Sequence, residues 1–137
     1  MLTYDIAKRM VDAAVAFARE KELTMTIAVV DSSGTLVALA RMDGANFIGP
    51  EVARGKAYGS AAFRLPSAEL SKRSEENPVF YTSLVSLMGG KFVAAQGAVP
   101  IKINGQVVGA IGASGSKPPI DEEVAMAGLA ALGESKG

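Results

Sequence analysis

Gly97-Ala98-Val99-Pro100-Ile101-Lys102-Ile103-Asn104-Gly105-Gln106-Val107-Val108-Gly109-Ala110-Ile111-Gly112-Ala113 places two apolar runs on either side of an Asn-Gly pair. Both central residues of a type I′ turn need positive φ, and Asn-Gly meets that demand. The stretch therefore predicts a β-hairpin with strands over 98–103 and 107–113. Ser114-Gly115-Ser116 follows as a loop of small residues, and Asp121-Glu122-Glu123 opens a helix running to about Leu132. A helix start carries unpaired backbone N–H groups, so Gly112, Ser114 and Gly115 form a candidate ligand-binding loop. Asp121, Glu122 and Glu123 have a second reading, because acids in a first turn complement the helix dipole. Three carboxylates would also repel an anion held beside them.

Upstream, Thr3 is a candidate N-cap, and Ile6, Met10, Ala13, Ala14 and Phe17 recur at helical spacing, so 3–21 reads as a helix. Residues 25–31 and 35–42 read as strands joined by Ser32-Ser33-Gly34. Gly49-Pro50-Glu51 opens a second helix to about Ala62, with Pro50 at a tolerated first-turn position. Residues 67–74 read as a third helix capped by Ser67, and 75–90 as a short helix or ordered loop. Phe92 to Ala95 reads as a further strand. The order is helix, two strands, helices, three strands, helix. It predicts an α+β fold: an α/β/α sandwich whose five-stranded, mainly antiparallel sheet is flanked by helices. No repeat or low-complexity linker divides the chain, so residues 1–137 read as one domain.

Composition narrows the chemistry. The chain is 49% hydrophobic and 20% charged, enough to bury a core. Fourteen basic residues balance fourteen acidic ones without a block of either sign, which argues against nucleic acid or an anionic membrane as partner. The first residues lack the pattern of a secretory signal, and no run reaches the length of a membrane span, so a cytoplasmic location is expected. There is no Cys and no His. Thiolate nucleophiles, Ser-His-Asp catalysis and His-ligated metals are thereby excluded, and acid–base chemistry falls to Asp, Glu, Lys or Tyr.

Two further groups can carry a site. Arg41 and Asp43 end a strand, and Lys56 lies in a helix otherwise built of small residues. Arg41 offers a planar fork to a carboxylate, and Lys56 and Asp43 can move a proton. The bland reading is an ion pair of Lys56 or Arg41 with Asp43, or plain surface charge. Phe80, Tyr81, Met88 and Phe92 can line an apolar pocket for a planar ligand, or simply fill a core or a subunit interface. Asn46 and Phe47 can reach a pocket mouth or a neighbouring subunit.

Val29-Val30-Asp31-Ser32-Ser33-Gly34-Thr35-Leu36-Val37-Ala38, Arg41-Met42-Asp43-Gly44, Gly55-Lys56-Ala57, Gly97 to Ile101, Gly105 to Gly115 and Asp121-Glu122-Glu123 together resemble the GlcG/HbpS-like family, also called the haem-degrading domain family. That family includes the C-terminal domain of some cobalamin adenosyltransferases of diol-utilisation pathways. The resemblance spans nearly the whole chain. It implies a profilin-like fold, homo-oligomers and, for some members, binding of haem. With no His present, iron ligation would fall to Tyr58, Tyr81, Met42, Met88 or a Lys.

Two functions are therefore expected. One is an oligomeric small-ligand-binding or accessory protein that takes haem or another tetrapyrrole. The other is a cofactor-independent isomerase, lyase or tautomerase acting on a small organic acid, with Arg41, Asp43 and Lys56 in its site. A purely structural oligomer subunit is a third reading.

Overall fold

The Thr3 hydroxyl accepts the Ile6 N–H at 3.1 Å and so caps helix α1 (Tyr4–Glu20), as its position in the sequence predicts. The computed structural model describes residues 1–134; the last three residues of the expected 1–137 domain lie outside the described residues. Strands β1 (Thr26–Asp31) and β2 (Leu36–Arg41) form the first hairpin. At its turn the Asp31 carboxylate accepts the Ser33 N–H at 2.9 Å, the Ser33 hydroxyl at 2.8 Å and the Thr35 N–H at 3.1 Å. Helices α2 (Gly49–Phe63), α3 (Ser67–Glu76) and α4 (Pro78–Leu87) come next. Strands β3 (Ala98–Ile103) and β4 (Gln106–Ser114) form the second hairpin, and α5 (Pro118–Glu134) ends the fold. Asn104 and Gly105 have φ of 52° and 78°, the positive values that the Asn-Gly turn requires.

The sheet is open and antiparallel, in the order β2-β1-β4-β3. The two hairpins therefore meet along β1 and β4, in register from Thr26 opposite Ser114 to Asp31 opposite Gly109. Both faces of these inner strands are buried. Ile27, Val29, Val99, Ile101 and Ile111 point into a core shared with Ala7, Met10 and Ala14 of α1 and Val124 and Ala125 of α5. Alternate residues meet α2 on the opposite face, where Val30 and Ala110 pack on Ala57 and Ala61.

The second face explains the small residues of α2. A Cβ added to Gly112 would lie 2.5 Å from the Ala53 carbonyl oxygen and 3.1 Å from the Ala57 nitrogen. The helix backbone rests directly on the strand, and only glycine fits at the crossing. Small side chains here serve close helix–sheet packing.

Three expectations need correction. The sheet has four strands, not five, among the described residues. Phe92 to Ala95 is not a strand: the Val93 N–H donates to the Gly55 carbonyl of α2 at 3.2 Å, and Phe92 is buried with Leu70 and Tyr81. Its apolar residues are spent against the helical layer and its backbone pairs with no strand. Ser67 does not cap α3 through its side chain; its buried hydroxyl accepts the Ala98 N–H at 2.8 Å and ties α3 to the start of β3. Residues 75–90 comprise the end of α3, then α4, then a Gly89-Gly90 turn.

Candidate functional site

Lys56 is the most constrained charged residue of the chain. Its side chain is 4% exposed, and its Nζ donates to the Asp121 Oδ2 at 3.0 Å and to the Ala113 carbonyl at 3.0 Å. The other Asp121 oxygen accepts the Ser116 N–H at 2.8 Å. Lys56 belongs to α2 and Asp121 to α5, so the pair joins the two helical layers past the end of β4. Gly97 makes room for it, since a Cβ there would lie 2.8 Å from Nζ. Burial raises the Asp121 carboxyl above its ordinary value; the Lys56 ammonium and the Ser116 N–H pull it back only in part. The expected pair of Lys56 or Arg41 with Asp43 does not form among the described residues; Lys56 pairs with Asp121 instead.

The structure separates the remaining candidates. Arg41 is exposed at the end of β2, opposite Thr26, and Asp43 is exposed just beyond it. Among the described residues no hydrogen bond or ion pair joins either one to Lys56. In the Gly112–Ser116 loop, Gly112 lies under α2, and a Cβ on Gly115 would lie 2.6 Å from the Thr24 carbonyl oxygen. Ser114 is half-buried in the β1–β4 register, and the Ser116 N–H is already given to Asp121.

Tyr81 is 6% exposed. Its ring lies 6.3 Å from Phe63 and 6.4 Å from Phe92, and it also lines a shallow cleft of about 260 Å³ with Ser74, Thr82, Val85 and Ala94. Arg73 beside it is raised above its ordinary value, first by Glu69 and then by the Tyr81 hydroxyl. Phe80 stands edge-on to Tyr81 at 5.2 Å and is exposed, while Met88 packs at the margin of the same cluster. Tyr58 also packs at that margin, and the Met42 sulfur accepts the Met25 N–H at 3.4 Å.

A different cleft, of about 330 Å³, opens where the first turns of α2 meet the Gly89-Gly90-Lys91 turn. Ile48, Val52 and Val93 supply its apolar wall, and Glu51, Arg54 and Lys91 its charges. A Cβ on Gly55 would collide with Val93, which shows how closely the helix and the 91–93 segment meet at its base. Gly89 and Gly90 adopt φ of 67° and 75° at its rim and face open space. Phe47, next in sequence to Ile48, is 86% exposed. None of Arg41, Asp43, Lys56, Gly112, Ser114, Gly115 or Tyr81 lines this cleft. Sequence reasoning missed Arg54 and Lys91 because they are 37 positions apart, and only the return of the chain after α4 brings them together. The Gly89-Gly90 pair marked the turn, but nothing in it named the partner helix.

The family model described as haem degrading protein HbpS-like matches residues 2–130. The chain is 29% identical to the corrinoid adenosyltransferase PduO of Citrobacter freundii over 131 residues, which cover 96% of this chain but 39% of PduO. It thus spans about two fifths of that relative. Among solved structures, a double mutant of Streptomyces reticuli HbpS superposes with a TM-score of 0.86 at 30% identity, covering 96% of this chain and 86% of that one. The PduOC:haem complex superposes with a TM-score of 0.85 at 28% identity, covering 95% of this chain and 94% of that one.

Proposed function

The chain belongs to the HbpS-like family, and from that premise we propose that it is a small-ligand-binding protein that takes haem or another tetrapyrrole in the cleft between α2 and the Gly89-Gly90-Lys91 turn. The observation that carries this reading is the chemistry of that cleft. Haem, when bound, supplies a flat apolar disc with carboxylates on one edge and an iron at its centre. Ile48, Val52 and Val93 suit the disc, and Arg54 and Lys91 suit carboxylates. A relative of the same fold that was crystallised with haem supports the choice of ligand. The cleft suits the macrocycle and not the iron, since no His, Cys, Met or Tyr lines it.

The protein acts as a homo-oligomer in the cytoplasm, without a nucleic-acid partner. Phe47, Val79 and Leu87 support self-association, being 86%, 80% and 81% exposed in the single chain. The balanced charge gives no basic footprint for nucleic acid. Among the described residues no helix is long and apolar enough to cross a membrane. The alternative, an enzyme using Lys56, Asp43 and Arg41 on a small acid, would require Lys56 to leave two buried hydrogen bonds.

Haemin titration followed by absorption and native mass spectrometry tests the proposal. A saturable complex with one haem per chain is expected, weakened at least tenfold in Arg54→Ala. Absence of a saturable complex refutes it.

A further inference from the structure

We infer that this chain recognises a tetrapyrrole through its macrocycle and carboxylates and supplies no ligand to the metal, so that it binds metal-free porphyrin as well as haemin. The inference rests on the proposed cleft. It turns on what each candidate iron donor is already doing in the fold.

The chain has neither His nor Cys, so a side-chain donor must be Tyr, Met, Lys or a carboxylate. None of the residues singled out for iron lines the cleft, and each is packed or bonded elsewhere in the fold. The Met42 sulfur accepts the Met25 N–H at 3.4 Å. Tyr58 packs against Gly34, where a Cβ would lie 2.6 Å from its ring, and against the aromatic cluster. Tyr81 is 6% exposed, buried among Phe63, Phe80 and Phe92, and lies outside the cleft. Met88 packs on the same cluster. Lys56 is spent on Asp121 and the Ala113 carbonyl.

Inside the cleft the donors left are Lys91 and Glu51. Lys91 is exposed at the rim, and its ammonium has three N–H donors and no acceptor to offer a metal. Glu51 is one carboxylate against the cations Arg54 and Lys91, so the cleft carries net positive charge. That charge selects the anionic edge of a ligand. Arg54 adds a fork that can hold a carboxylate with two parallel hydrogen bonds, and an apolar wall stands beside it. Every recognition element of the cleft therefore addresses the organic ligand.

The experiment compares haemin, metal-free protoporphyrin IX and the dimethyl ester of protoporphyrin IX, each titrated into the full chain under identical conditions. Haemin and the free acid are expected to bind within about threefold of one another. The dimethyl ester, which keeps the disc and loses both charges, is expected to bind about tenfold or more weakly, the scale of a lost charge-assisted hydrogen bond. Glu51→Gln should tighten the free acid and leave the ester unchanged. The haemin absorption spectrum should be the same in Tyr58→Phe, Tyr81→Phe, Met42→Leu and Met88→Leu as in the natural chain. Haemin binding ten times tighter than the metal-free acid, or a haemin spectrum changed by one of these substitutions, overturns the inference while leaving the tetrapyrrole reading intact. Failure of both haemin and the free acid to bind overturns the tetrapyrrole reading itself, and this inference with it.

Discussion

Lys56→Met removes an ammonium that the fold holds at 3.0 Å from Asp121, with both side chains 4% exposed. The apolar stem remains, so the cavity left behind is small. The Asp121 carboxylate keeps the Ser116 N–H as a hydrogen-bond donor, in a place almost closed to water. Breaking a buried pair from one side costs about 3–5 kcal/mol, because an uncompensated charge stays behind. A small domain has about 5–15 kcal/mol of stability in all. With a urea slope of about 2 kcal/mol per molar, the midpoint should fall by roughly 2 M. The chain has no Trp, so far-UV circular dichroism at fixed protein concentration is the suitable probe.

The double variant Lys56→Met with Asp121→Asn makes the pair neutral and keeps an acceptor for the Ser116 N–H. It should be more stable than Lys56→Met alone. The pH response gives a second check. Burial raises the folded pKa of Asp121 above its ordinary value of 3.8, so the folded chain binds this proton more tightly than the unfolded one. The contribution of Asp121 is therefore fullest below 3.8 and is lost as pH rises through the folded pKa. Removing Lys56 raises that pKa further, so the deficit of Lys56→Met should shrink on acidification. A Lys56→Met variant within about 1 kcal/mol of the natural chain at neutral pH, or a double variant less stable than the single, refutes this account of the buried pair.

Two other outcomes follow from local geometry. Gly112→Ala should cost about 1–3 kcal/mol, because its methyl would meet the backbone of Ala53 and Ala57 and lift α2 from the sheet; Gly133→Ala, where nothing lies within 4 Å, is the control and should be neutral or stabilising in urea melts. Asp31→Ala should cost about 1–2 kcal/mol at neutral pH by removing the turn's acceptor. Burial pushes the Asp31 carboxyl up, but Ser33 and Thr35 together outweigh it and hold the pKa below its ordinary 3.8. That stability is present above 3.8 and is lost as pH falls through the folded pKa, so the gap between Asp31→Ala and the natural chain should close in acid; a gap independent of pH contradicts the assignment.

The elements legible in the sequence were those whose signals are local. Thr3, Asn104-Gly105 and Pro50 each state a backbone preference within a turn or two, and the structure follows each of them. Phe92 to Ala95 misled because a short apolar run looks alike whether it joins a sheet or covers a helix. The Gly55 carbonyl that takes the Val93 N–H lies in another element, and periodicity carries no word of it. Ser67 misled in the same way: the type of residue announced a cap, while the Ala98 N–H drew its hydroxyl elsewhere.

By itself, then, the sequence determined the hairpins, most of the helices, the layered α+β class and the chemistry that the absence of His and Cys forbids. These follow from backbone preferences and side-chain inventory, which are properties of neighbouring residues. The tertiary structure alone decided that Lys56 pairs with Asp121, 65 positions away, and that Arg54 and Lys91 share a cleft. Charges act through space, and burial is set by whatever the returning chain lays over a residue. Neither has a period in the sequence.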